Sequence, residues 1–166
     1  MKNATRIGIL GIVLASIVAA DGPADAVTLK AIKYDDLSNA VRLLRGKVIV
    51  VDFWADYCVP CKREFPRLVE LQRKYAQAGL TAVSVSLDEN TEAKRQAIGA
   101  FLKKQGATFT NILLDETPTL WQAKLKINGP PLVFVFNRKG ELVKRFEDEG
   151  VDFDKINALV ATLLKD

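Results

Sequence analysis

The spacing of apolar and polar positions changes several times along the 166-residue chain, and each change marks an element. Val27–Lys33 reads as a short strand. Asp35 or Ser38 offers an N-cap for a helix through Leu44, with Gly46 as its stop. Lys47–Trp54, "KVIVVDFW", is a continuous apolar and β-branched run broken only by Asp52. Such a run suits a central strand covered on both faces. From Pro60 and Cys61 the period lengthens. Phe65, Leu68, Val69, Gln72 and Tyr75 share one helical face, Pro66 is expected to kink that helix, and Gly79 ends it. Thr81–Leu87 is a second buried strand. "DENTEAKRQAIGAFLKKQG" predicts a helix with Ala97, Ile98, Phe101 and Leu102 inward, closed by Gly106. Asn111–Leu114 is a short strand, and Thr117-Pro118 opens a helix through Trp121 and Leu125. Pro131–Phe136 and Glu141–Phe146 flank the turn "NRKG" as an antiparallel hairpin. Asp152 caps a last helix with Phe153, Ile156, Leu159, Val160 and Leu163 on one face. Strands alternating with helices, then a hairpin and a helix, predict an α/β fold: a mixed sheet flanked by helices in one domain, residues 27–166.

Residues 1–26 are set apart from this pattern. Lys2 and Arg6 precede an apolar stretch from Ile7 to Ala20, and small residues follow at Val18-Ala19-Ala20 and Ala24-Asp25-Ala26. That order is the order of a secretory signal. The apolar stretch is shorter than the roughly 20 residues of a bilayer span. The segment is expected to be a signal peptide, or an anchor if it is not cleaved; only in the second case does the protein meet a membrane. The expected location is the periplasm or another extracytoplasmic space.

Composition narrows the chemistry. The net charge of +4 comes from dispersed Lys and Arg, which gives no basis for nucleic-acid binding. There are no histidines, which removes the commonest general base and metal ligand and any Cys-His or Ser-His-Asp arrangement. Two cysteines cannot close a four-ligand zinc site, so no metal is expected. No cofactor is called for either.

Both cysteines lie in "VVDFWADYCVPCKREFP", Cys58 and Cys61, separated by Val59 and Pro60. A structural disulfide gains most by closing a long loop, and this bridge would enclose two residues. The spacing therefore points to chemistry rather than stapling. Cys58 falls where a strand ends and a helix begins, and free N–H groups with the helix dipole favour a thiolate there. That thiolate attacks a disulfide in a partner, and Cys61, one turn on, displaces the partner and closes the Cys58–Cys61 ring. Cys61 must first lose a proton. Asp52 is the candidate acceptor, because a carboxylate inside an apolar strand is pushed toward a higher pKa by desolvation. Asp56 reads as an exposed loop acid. Tyr57 reads as a rim residue shielding the site. Glu64 returns to the face of Cys61, where it either tunes the thiols or pairs with Arg67 or Lys74 as a surface charge.

"VVDFWADYCVPCK" resembles the active-site strand and loop of the thioredoxin family, and "CKREFPRLVEL" resembles its exported TlpA/ResA-like reductant branch. The likeness covers nearly all of residues 27–166, including "LRGKVIVVDFWA", the helical insert and "INGPPLVFVFNRKGEL". It implies a thioredoxin fold with a helical insert before a cis-proline strand, the cis residue being Pro131. It implies Cys58 as attacking thiol, Cys61 as resolving thiol, Asp52 as the buried acid and Glu64 as a glutamate near the thiols. Trp54, Tyr57, Pro60, Pro130 and Pro131 would contact substrate. Three departures stand out: Tyr57 replaces the usual tryptophan, Ser84 stands where a lysine is frequent, and Pro130 removes a backbone N–H before Pro131. The implied activity is thiol–disulfide exchange by a monomer, reducing disulfides of exported proteins, with cytochrome c maturation as one duty and an upstream electron donor as a second partner. The alternative is a non-catalytic binding module with an inert Cys58–Cys61 bridge.

Overall fold

The run of β-branched and apolar residues at Val48–Trp54 becomes the middle of a six-stranded sheet, with every residue of the strand buried. A computed structural model describes residues 26–147 and 151–165; all but the last residue of the expected signal or anchor segment lies outside them. The strands are β1 (Lys30–Ile32), β2 (Val48–Trp54), β3 (Leu80–Ser86), β4 (Thr110–Leu114), β5 (Leu132–Phe136) and β6 (Leu142–Glu147), in spatial order β1-β4-β3-β2-β5-β6. β1, β4, β3 and β2 pair in parallel, and β5 and β6 join antiparallel as the predicted hairpin. The helices are α1 (Tyr34–Leu43), α2 (Val59–Tyr75), α3 (Glu92–Gln105), α4 (Pro118–Leu125) and α5 (Phe153–Leu163).

The alternation within β2 divides the core. Val48, Val50 and Trp54 face a layer built by α2, α3 and α5, whereas Ile49, Val51 and Phe53 face α1 and α4. A strand buried on both faces is what a parallel sheet with helices on each side requires. Asp52 belongs to the α2, α3 and α5 side. Trp54, Phe65, Phe101 and Phe109 form an aromatic cluster on that side, with Trp54 and Phe65 edge to face at 5.3 Å.

Several boundaries differ from expectation, each for a local reason. β1 is limited to Lys30–Ile32, the three residues that pair with β4. Neither Asp35 nor Ser38 caps α1. The helix begins at Tyr34, whose N–H donates to Glu116 Oε1 at 3.0 Å, so a side chain from the β4–α4 loop fixes its start. α2 runs through Pro66, which is exposed; of its expected inward face Phe65 and Leu68 are buried and Val69 and Tyr75 pack against the same core, while Cys61 and Leu71 join the buried stripe. Gln72 sits at the edge of that stripe, and its Oε1 accepts from the Ala82 N–H at 2.6 Å. α3 starts late, at Glu92, because Thr91 caps it through the Lys94 N–H, and Ala97 faces solvent while Ile98 and Leu102 are buried. Thr117 and Asp152 cap α4 and α5 as expected.

Candidate active site

Cys58 ends the β2–α2 turn and is itself the N-cap of α2. Its Sγ accepts a hydrogen bond from the Cys61 N–H at 3.3 Å, and its own N–H donates to the Ala55 carbonyl at 3.0 Å. Pro60 sits in the first turn, where a missing N–H costs nothing. The two cysteines are bonded to each other, with their Cα atoms 5.3 Å apart, and both are buried.

Asp52 follows from the pleat of β2. It lies beside Ser84 on β3 and Val133 on β5. The row Asn111, Ser84, Asp52 crosses three strands, but its polar groups are satisfied unevenly. Ser84 Oγ donates to Asn111 Oδ1 at 2.8 Å, and Asn111 Nδ2 donates to the carbonyls of Thr28, Ala107 and Phe109. Among the described residues no donor or cation is left for the Asp52 carboxylate. Burial alone therefore acts on it and pushes its pKa from 3.8 up to about 7. The side chain is 4% exposed, and that opening is toward a cavity of about 420 Å³.

That cavity is lined by Asp52, Pro60, Cys61, Arg63, Glu64, Pro131, Val151 and Phe153. It brings together one cysteine, the buried acid, Glu64 and Pro131 from three separate stretches of sequence. The Pro130–Pro131 peptide is cis, at the residue the resemblance implied. Glu64 pairs with neither Arg67 nor Lys74; its Oε1 accepts from Arg63 Nε at 3.1 Å at the cavity edge. Arg67 pairs instead with Asp154 on α5. Tyr57 and Val59 are 64% and 74% exposed and stand on either side of Cys58, so an apolar rim surrounds the disulfide.

Two expectations need correction. Trp54 is fully buried against Phe65 and Phe101, so it supports the site from below and has no surface for a substrate. Asp56 is not a free loop acid. Its carboxylate takes Lys62 Nζ at 2.9 Å and Lys94 Nζ at 3.3 Å, and the Lys62 hydrogen bond is the chief cause of its lowered pKa. Its N–H donates to Asp88 Oδ2 at 2.8 Å. Asp88 and Lys94 were absent from the sequence reading. The available signal was an acid directly after the buried run Thr81–Leu87, a position where a carboxylate must find donors or face solvent. Val151, just before α5, and Phe153, its first residue, wall the cavity, and linear spacing gives no hint that they meet Cys61.

The chain is similar over most of its described length to proteins of one chemical type. It is 30% identical over 101 residues to the thiol-disulfide oxidoreductase ResA of Bacillus subtilis, a match covering 61% of this chain and 53% of that one. It is 30% identical over 116 residues to sporulation thiol-disulfide oxidoreductase A of the same organism, covering 70% and 67%. The crystal structure of a thiol:disulfide interchange protein of the thioredoxin family from Chlorobium tepidum superposes with a TM-score of 0.59 at 26% identity, covering 74% of this chain and 83% of that one. The chain thus spans about half the length of ResA. Residues 46–142 match the family described as Thioredoxin-like, a stretch that holds the cysteine pair, Asp52 and the cis-proline. With a sheet of this order, a dithiol at the head of α2 and homologues that exchange thiols and disulfides, the chain belongs to the Thioredoxin-like family.

Proposed function

We propose that the protein is an exported thiol–disulfide oxidoreductase that works as a reductant. The observation that carries this reading is the shared cavity: Cys61 and a buried, unpaired Asp52 line one space, directly behind a rim-exposed Cys58 turn. In the reduced protein the Cys58 thiolate attacks a partner disulfide. A Cys58–partner bond forms and the partner's first sulfur leaves as a thiolate. The Cys61 thiol passes its proton to the Asp52 carboxylate, whose pKa near 7 suits both uptake and release at neutral pH. The Cys61 thiolate then attacks Cys58 Sγ, and the partner's second sulfur leaves. Two electrons have moved from the dithiol to the partner, and an upstream dithiol donor restores Cys58 and Cys61. Glu64 holds a second carboxylate at the cavity mouth, balanced by Arg63, and tunes the thiols from there.

Tyr57, Pro60, Pro130 and Pro131 form the surface that meets the partner. Pro130 offers only a carbonyl, so side-chain contact carries more of the recognition than main-chain pairing does. The substrates are disulfides of exported proteins, with apocytochrome c cysteines among them, and residues 1–26 direct the chain out of the cytoplasm. The Val-Pro dipeptide between the cysteines accords with a reducing member.

The test has two arms. The full chain is mixed with insulin and dithiothreitol as donor, and reduction of the insulin disulfides is followed as the rate above that of dithiothreitol alone. Turnover is expected; none at all would mean an inert bridge in a binding module. The potential of the Cys58/Cys61 couple, from a glutathione titration, is expected nearer the roughly −270 mV of thioredoxin than the roughly −120 mV of a strong oxidant. A value at the oxidising end would reverse the direction of the reaction.

A further inference from the structure

The Cys58 turn is held by four charged residues from three segments, two of them outside the active-site motif. Asp56 and Lys62 bracket Cys58 in sequence, Asp88 follows β3, and Lys94 belongs to the first turns of α3. Asp88 has a side chain only 1% exposed. Its Oδ2 accepts from the Asp56 N–H at 2.8 Å and from Ser86 Oγ at 2.8 Å, and its Oδ1 lies 3.5 Å from Lys94 Nζ. Lys94 Nζ also reaches Asp56 Oδ2 at 3.3 Å. Lys62 Nζ returns one turn to donate to Asp56 Oδ1 at 2.9 Å and to its carbonyl at 3.3 Å, over the ring of Phe101. Two carboxylates and two ammonium groups thus close around the backbone two residues before Cys58.

Charge balance is the feature that matters. Two lysines this near the head of α2 would by themselves add to the pull of the helix N-terminus on a Cys58 thiolate. Asp56 and Asp88 cancel that addition and at the same time fix the turn that makes Cys58 the N-cap. An ordinary fold-stabilising ion pair would sit on the surface; Asp88 instead is buried, and it is joined to the main chain of the active-site loop.

We propose that Asp88 and Lys94 are positioning residues for Cys58, forming with Asp56 and Lys62 a charge-neutral clamp through which helix α3 sets the nucleophilic reactivity of the Cys58 thiol. The inference rests on the reading of Cys58 as the attacking thiol. Removing either member of the clamp leaves a net charge of opposite sign beside Cys58. Asp88→Asn keeps an acceptor for the Asp56 N–H but leaves a net positive cluster, which favours the thiolate. Lys94→Met leaves a net negative cluster, which disfavours it. The other charged or ionisable groups around the site, Asp52, Arg63, Glu64 and the Tyr57 hydroxyl, are the same in both variants.

The experiment uses the reduced full chain carrying Cys61→Ser, so that Cys58 is the one titrating thiol, and follows thiolate absorbance near 240 nm against pH. The size of one unit charge acting through partly solvated surroundings is about two- to fivefold in the ionisation constant. The midpoint is therefore expected to move down with Asp88→Asn, up by a similar amount with Lys94→Met, and back with Lys94→Arg. In chains with both cysteines, the reduction potential should rise with Asp88→Asn and fall with Lys94→Met. Loosening of the loop alone would move both variants the same way, and that result, or no movement in Lys94→Met, overturns the proposal. Lys94 is partly exposed, so its variants report even where Asp88→Asn does not fold. The titration uses no disulfide substrate, so it stands or falls separately from insulin turnover.

Discussion

Replacing Asp52 by asparagine isolates what burial of its charge costs the fold. In the oxidised protein the cysteines carry no titratable proton, so the thiols drop out of the pH dependence. Burial lifts the carboxyl from 3.8 to about 7. A raised acid pKa means that, between those values, the folded chain holds a proton that the unfolded chain has released. Below about pH 3.8 both states are protonated and nothing is lost. As pH rises toward 7 stability falls, and above 7 the loss is complete and constant. At 1.36 kcal/mol per pH unit the full loss is about 4 kcal/mol. Asparagine has similar size and no proton to release, so its own burial cost is the same at every pH. In urea unfolding of the two oxidised proteins, the stability of Asp52→Asn relative to wild type should therefore grow by about 4 kcal/mol between pH 4 and pH 8, with most of the rise complete by pH 7. With an ordinary urea dependence that is a midpoint shift of about 2 M. Parallel curves across this range would refute the reasoning, because the folded protein would then be carrying the ionised carboxylate without penalty. The functional counterpart is kinetic: the same variant should release a mixed disulfide more slowly while forming it at a near-normal rate.

Cys61→Ser is expected to accumulate mixed disulfides with partner proteins on non-reducing gels and Cys58→Ser is not; equal trapping by both would exchange or merge their roles. Phe65→Ala removes the ring that Trp54, Phe101 and Phe109 pack against, and should lower unfolding stability by about 3–5 kcal/mol, measured by denaturant melts. Asn111→Ala strips hydrogen bonds from Ser84 and from three backbone carbonyls, so a loss of about 2–4 kcal/mol is expected, with thiol reactivity in the reduced state unchanged.

The fold was legible where one periodicity ran long enough to be unambiguous. β2, β3, α4, α5 and the β5–β6 hairpin all fall within a residue or two of their predicted bounds, because each combines a clear apolar pattern with a stop or cap such as Thr117, Asp152 or the NRKG turn. The misjudged ends have causes that come from elsewhere in the chain. The start of α1 depends on Glu116, some eighty residues away, and the inward face of α2 extends to Cys61 and Leu71 beyond the spacing read from Phe65, Leu68 and Val69. A propensity-based cap at Asp35 or Ser38 is worth about 1 kcal/mol, which a tertiary hydrogen bond with accompanying burial readily overrides.

The site divides along the same line. Cys58, Cys61 and Asp52 announce themselves because each contradicts its local context: two cysteines with no loop to close, and a carboxylate in a strand with no room for charge. Asp56, Lys62 and Lys94 carry no such signal, and the one at Asp88, an acid directly after a buried run, says that it needs donors but not which ones. Their meaning arises only when β3 lies beside β2 in parallel register, which sets Ser86 opposite Trp54 and brings Asp88 up to the backbone of the Cys58 turn. Trp54 shows the converse. Its place before the motif suggested contact with substrate, but the pleat that points Asp52 into the cavity side of the sheet points Trp54 into the same layer two residues on, where α2 and α3 have already closed over it. A strand thus assigns side chains to a face, whereas the helices packed on that face decide which of them meets a partner. In this chain that decision leaves the carboxylate on the cavity and the indole in the core.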